Sequence, residues 1–338
     1  MTQVMKSTAA SRPRPAPVAS LRLLAAALLL AAGAAAQAQA YPSRPIHLLV
    51  GLAPGGGTDI IARLVAAKMG EGLGQQVLVE NRVGSGGLIA AETAAKATPD
   101  GYTLLFGAIS YSAIFASLYK KLPYDPVKDF APISLVATFP NVLVVNPALP
   151  VKSVAELRAW AKDHPGKLSY CSSGVGSSLH LSMEMLKAMT GLDAVHVPYK
   201  GGAPATADLM GGQIQAMFDN LPGQIAYIKS GRTRALAVTT IKRNPQLPDV
   251  PTMVEAGVPG FEVNVWYGIM AQAATPKPII DRLNAEIVKA LNSPEVKERM
   301  AKEGAEPIPG TPAEFAAFQK SEVAKWAQVV KDSGATAD

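Results

Sequence analysis

The chain has 338 residues, 49% of them hydrophobic and only 6% aromatic, and its 32 Lys and Arg against 26 Asp and Glu give a formal charge of +6. That excess is concentrated at the start: Lys6, Arg12, Arg14 and Arg22 precede Tyr41 and no acidic residue does, so from Tyr41 onward the balance is 28 against 26. A nearly neutral surface with few aromatics excludes the basic stripe of a nucleic-acid binder, and a lone cysteine, Cys171, excludes an internal disulfide.

Taken in chain order, residues 1–40 read as an export signal. A positive start is followed by "LLAAALLLAAGAAA", too short for a membrane span, and by "AQAQA", whose small residues suit cleavage after Ala40. The 298 residues from Tyr41 suffice for two ordinary domains. The strand-like "IHLLVGL" leads through "APGGGTD" into a helix with Ile60, Ile61, Leu64, Val65 and Met69 on one face. "QQVLVE", a Gly-rich turn, the Ala-rich "LIAAETAAKA" and "YTLLFG" complete a β-α-β-α-β series.

A second α/β series starts near "FPNVLVVNPALP". Ser153 with Glu156 marks a capping box for "VAELRAWAKDH", after which "KLSYCSS", "LHLSMEMLKAMTG", "DAVHVPY", "ATADLMGG", "QIQAMFDN", "PGQIAYIKSG" and "RALAVTT" alternate. Then comes the long strand-like "FEVNVWYGIMAQ", followed by helices announced by Ser293-Pro294 and Thr311-Pro312. A single strand cannot support a third sheet, so these helices are expected to cover the first domain. The expected architecture is α/β, with two lobes and crossings near 139–144 and 263–269: residues 41–141 with 267–338 form lobe 1, and 142–266 form lobe 2.

In an open α/β sheet, ligands sit where strands hand over to helix N-termini. Four such loops are rich in small residues: "APGGGTD", "GAISYS", "SSGVGSS" and "DNLPG". Unpaired amides at a helix start, with the dipole's partial positive charge, favour an anion, and glycine lets it reach the backbone. None of the four carries Arg or Lys. Asp59 either caps its helix, orients a bridging water or meets a ligand ammonium, and Asp219 is open to the same readings.

Enzyme readings fit poorly. Gly55 and Gly57 match a dinucleotide-binding turn and Glu80 ends the next strand, but Ile60 stands where the third glycine belongs. No GxSxG elbow and no HExxH occurs, and His47, His164, His180 and His196 are scattered. The pair His180 and Glu184, four apart on a helix, reads as structural, and Cys171 as a small buried residue. No catalytic residue, metal or cofactor is therefore expected.

The blocks "APGGGTDIIARL", "VENRVGSGGLIAAETAAKATPDGYTLLFG", "HVPYKGGAPATADLMGGQIQAMFDNLP", "LPDVPTMVEAGVPGFEV" and "WYGIMAQAATPKPIIDRLN" resemble, in order, the periplasmic solute-binding proteins of the tripartite tricarboxylate transporter system, the Bordetella uptake gene family. The resemblance implies the two-lobed, type II flytrap fold of periplasmic binding proteins, a monomer that closes on a small organic acid and delivers it to membrane permease subunits, without catalysis. It carries the ligand site onto Pro54, Gly55, Gly56, Gly57, Thr58 and Asp59, with Ser110 nearby in the first lobe, and onto Ser177, Ser178 and Asp219 in the second. Ile109 and Tyr111 depart from the smaller residues expected there and favour an apolar or aromatic acid. A sensing role, an NAD-dependent dehydrogenase and a periplasmic adaptor for a protein partner are the rival readings.

Overall fold

The structure is a computed structural model that describes residues 41–337; the expected export signal, residues 1–40, lies outside the described residues. The chain divides at Ser43/Arg44, and the unit from Arg44 onward contains every strand and helix discussed below.

Strand β1 (Ile46–Val50) is almost wholly buried and passes through Ala53–Gly56 into helix α1 (Gly57–Leu73). Ile61, Ala62, Val65, Ala66 and Met69 recur at helical spacing and form α1's buried stripe, and Gly74 ends the helix at φ 67°, where only glycine is unstrained. β2 (Val77–Asn81), α2 (Leu88–Ala95) and β3 (Thr103–Ala108) follow; β2 and β3 flank β1, both parallel to it.

After β3 the expected loop "GAISYS" is instead a π-helical turn, Ser110–Ile114, running into the short helix α3 (Phe115–Leu118). Two tyrosines hold it: Tyr111 Oη donates to Phe106 O at 2.6 Å and Tyr124 Oη to Tyr111 O at 2.7 Å. π-turns are uncommon and recur at functional sites.

β4 (Phe130–Val145) is the pivot of the molecule. Residues Phe130 to Pro140 pair with β9 (Asn264–Gln272), whereas Asn141 to Val145 pair with β7 (Ala216–Asn220) and Val142 to Val145 also with β8 (Arg234–Val238). The strand therefore changes partners between Pro140 and Asn141. The second series runs α4 (Val154–Asp163), β5 (Ser169–Ser172), α5 (Ser178–Thr190), β6 (Val195–Pro198), α6 (Gly202–Met210), β7, α7 (Leu221–Lys229), β8. The strand order is β2-β1-β3-β9-β4-β7-β5-β6. Parallel strands followed by helices place several loops and helix N-termini at the strands' carboxyl ends, with β4 between the two halves.

The chain ends in α8 (Lys277–Asn292), α9 (Pro294–Lys302), the two-residue β10 (Glu306–Pro307) and α10 (Pro312–Ser333). The sequence signals at their starts hold: Ser293 Oγ accepts from Val296 N, and Thr311 with Glu314 forms a full capping box. α8 packs on α1 and β4, and α10 packs on β4 and on the π-turn. In α10, Phe315 meets Trp266 edge to face, and Glu322 accepts from both indole N–H groups, Trp266 and Trp326.

Cys171 is buried, as expected, and burial pushes its thiol well above the ordinary range. No helix of the described residues is long and apolar enough to cross a membrane.

Candidate functional site

The first-half loop is built by its own side chains. Gly55, at φ 81°, donates its amide to Asp59 Oδ2 at 3.0 Å. The same oxygen accepts from Arg63 Nε at 2.9 Å, and Oδ1 accepts from Asn81 Nδ2 at 3.0 Å. Burial works against this carboxylate, but Arg63, the Gly55 amide and Asn81 outweigh it and hold its pKa below the ordinary value. Asp59's hydrogen bonds to Gly55, Arg63 and Asn81 lie within its own half, and they set the turn. Gly56 and Gly57 carry no side chain over the α1 N-terminus, whose first amides no side chain caps.

Facing this loop are the starts of two helices from the second half. The Ala53 amide donates to Lys200 O at 3.2 Å, just before α6. A Cβ placed on Gly56 would lie 3.6 Å from the Ala203 amide nitrogen, and one on Gly57 3.1 Å from both Asn220 Cβ and the Gly223 amide nitrogen, at the start of α7. Next to them, Gly86 of the turn before α2 would touch Val175 O, in the loop before α5. A short polar chain spans the gap: Thr58 Oγ1 and Tyr267 Oη are 2.8 Å apart, and Asn220 Nδ2 donates to Tyr267 Oη at 2.7 Å. Asn220 Oδ1 is buried without a partner among the described residues.

The other expected residues divide by role. Ser177 Oγ caps α5 by accepting from His180 N at 3.2 Å, whereas Ser178 and Ser110 are buried residues that cap no helix. Asp219 lies beneath Gly202 and accepts from Asn220 N, Gln224 Nε2 and Thr206 Oγ1. Burial pushes its pKa up to about 6 despite these donors. A carboxyl raised on folding stabilises most below its unfolded pKa, about 3.9, and this contribution is lost as pH rises through about 6. Wild type is therefore expected to lose stability relative to Asp219→Asn as pH rises from about 4 to about 6, measured by urea denaturation.

The Tyr111 ring packs against Gly51 and Gly87, its hydroxyl is spent on Phe106 O, and the residue is fully buried. Ile109 is buried as well. The Lys200–Ala203 loop, Gly86 and Tyr267, none of them a candidate in the sequence, are brought to the same place as the expected loops. Gly201-Gly202 before a helix repeats the signal of the triple glycine and was there to be found; nothing local marks Tyr267. Lys200 also places a cation on a loop of this site, with an exposed side chain.

A separate cavity of about 510 Å³ lies beside the crossing strands, lined by Phe139, Pro140, Lys242, Asn264 and Glu306 among others, and touches none of these loops. The uncapped helix N-termini have the chemistry for an anion. Among the described residues no cluster of three His, Cys, Asp or Glu is placed to hold a metal.

Two α/β halves joined by crossing strands, with glycine-lined helix N-termini meeting between them, define a two-lobed solute-binding protein. The chain belongs to the tripartite tricarboxylate transporter family receptors (TctC), whose profile matches residues 61–335. BugT of Bordetella pertussis is 41% identical over 88% of this chain and 92% of its own. Among solved structures, Rpa4515 of R. palustris with adipate is 40% identical, with a TM-score of 0.85 over 88% of this chain and 99% of that one. MatC of Rhodopseudomonas palustris with bound malate is 35% identical, with a TM-score of 0.83 over 86% and 99%. The family's members are periplasmic binding proteins and not enzymes.

Proposed function

We propose that this chain captures a small organic carboxylate between residues 53–59 and the starts of α5, α6 and α7, and delivers it to the permease subunits of a tripartite tricarboxylate-type transporter. The observation that carries the reading is the meeting of the α1 start with the α6 and α7 starts across a gap lined by glycine, with no side chain capping any of the three. The relatives bound to adipate and malate both hold dicarboxylates, which supports the same ligand class here.

In this reading Pro54 to Thr58, Ser110, Ser178 and Asn220 face the ligand, while Asp59, Ser177 and Asp219 shape the loops around it. Residues 41–141 with 267–338 and residues 142–266 act as the two lobes of a monomer, and the exchange of partners by β4 at Pro140–Asn141 supports the first boundary. Ligand that touches both lobes stabilises the closed form, because only there are both sets of amides within reach. The protein works in the periplasm after its leader is cleaved following Ala40.

The test is calorimetric titration of the chain from Tyr41, unfolded and refolded to strip carried ligand, against malate, adipate, monocarboxylates and the matching amides. Binding of an acid with none of its amide is the expected result. Equal binding of acid and amide, or no binding by any acid, would sink the carboxylate assignment; delivery is checked by permease-dependent uptake of the acid that binds.

A further inference from the structure

The first-lobe and second-lobe turns share one device. In each, the third residue of the helix reaches back and accepts the amide of the residue before the N-cap: Asp59 takes Gly55 N, and His180 Nδ1 takes Gly176 N at 3.2 Å. This is a variant of the capping box, in which the third helical residue reaches back to the N-cap amide itself. The two turns differ in the acceptor. A carboxylate remains an acceptor at any pH above its pKa, whereas an imidazole accepts only while neutral, with its proton on Nε2.

Behind His180 stands a second histidine. The His180 and His196 rings stack with centroids 4.2 Å apart, and Tyr170 covers the other face of His196 at 4.8 Å. His196 Nε2 is 2.7 Å from Ser172 Oγ, which accepts the Gly174 amide at 3.1 Å. Gly174 and Gly176 are thus both held, directly or through one hydroxyl, by neutral imidazoles. The charged groups facing the pair are Glu184, already engaged by Tyr170 Oη and by Lys187 Nζ at 2.8 Å, and Lys187 itself.

We propose that His180, backed by His196 and Ser172, is a positioning residue for the ligand: as a neutral acceptor it fixes the Gly174–Gly176 turn against the first lobe, and its protonation releases that turn and weakens binding. Burial pushes the pKa of His180 below the ordinary value, with Lys187 adding to the effect and Glu184 opposing it, and burial together with His180 pushes His196 down to about 4. For a histidine lowered on folding, the contribution is complete above its unfolded pKa, about 6.5, and is lost as pH falls through the folded value. The arrangement therefore holds the turn at neutral pH and gives it up in acid. The effect on affinity rests on the carboxylate-binding reading above; the effect on the turn does not.

The experiment has two arms. In the ligand-free protein, selectively ¹⁵N-glycine-labelled, the Gly176 amide resonance is followed from pH about 8 to about 4 together with the His180 ring. The same titration is run with malate and with adipate by calorimetry for wild type, His180→Gln and His180→Leu. The Gly176 amide is expected to move as His180 protonates, and wild-type affinity is expected to fall with acid more steeply than that of His180→Gln, which keeps an acceptor that does not titrate. The acid's own titration is common to all three proteins and cancels in that comparison. His180→Leu is expected to bind about tenfold more weakly at neutral pH, with His180→Gln restoring most of the loss. A Gly176 amide that stays still while His180 titrates overturns the proposal, as do matching pH profiles in wild type and His180→Gln. Absence of all acid binding would overturn the carboxylate reading and leave the amide arm to decide the role of His180.

Discussion

Replacing Gly57 with valine is expected to weaken acid binding by at least about 100-fold, roughly 2.7 kcal/mol, while leaving the thermal midpoint within a few degrees of wild type. The position begins α1 and its φ is not left-handed, so a side chain costs little in an open protein. In the closed arrangement, however, its Cβ would press at 3.1 Å on Asn220 Cβ and on the Gly223 amide nitrogen, closer than carbon atoms normally pack, and valine adds two methyl groups beyond that point. The closed form is thus penalised and the open form is not. Gly211, just past the far end of α6, is the natural control: its φ is −73° and a Cβ there meets nothing nearer than 3.4 Å, so Gly211→Ala should bind within a few-fold of wild type. Gly201 would make a poor control, because its φ of 152° would strain any other residue whatever the lobes do. Calorimetry reports the affinity and small-angle scattering the closure; unchanged affinity in Gly57→Val would mean that the lobes close on some other pair of loops.

Tyr267→Phe is expected to weaken binding by about 30-fold, roughly 2 kcal/mol, through the loss of one oxygen. Tyr267 stands on β9, and its hydroxyl joins Thr58 at the start of α1 to Asn220 at the start of α7, all three being buried. Phenylalanine keeps the packing against Phe106 and Phe139, whose ring centroids lie 5.2 and 4.7 Å away, so the fold should survive. What is lost is the partner of two buried polar groups, and leaving such groups unsatisfied costs more than the net value of the bond. In the open form water can serve Thr58 and Asn220, so the loss falls on closure. A double-mutant cycle with Thr58→Val measures the coupling; additive losses would show that the hydroxyl does not link the two sides.

The class of fold was legible because it depends on local periodicity. Ile61, Val65 and Met69 at helical spacing, "IHLLVGL" as a continuous apolar run, and the caps at Ser153, Ser293 and Thr311 report on neighbours a few residues away, and the structure has each of them where the pattern put it. The triple glycine was legible for the same reason, since a turn into a helix needs only its own residues to form.

What faces that turn was not legible. Asp59 was open between ligand and cap because its surroundings depend on Asn81, 22 residues away, and on Arg63 folding back onto it. The Tyr111 ring fits the hollow between Gly51 and Gly87, and no local pattern announces that two glycines 36 residues apart will meet. Tyr267 reads as an ordinary aromatic in a buried strand until β9, α1 and α7 are brought together by the order of strands around β4. By itself, then, the sequence determined the alternation of strands and helices, the helix starts and the anion-seeking character of the glycine turns, all of which follow from interactions within about one helical turn. Only the tertiary structure decided which turns oppose each other and which polar groups are spent on the fold, because a side chain's destination is set by the segments packed against it, however far away in the chain they lie.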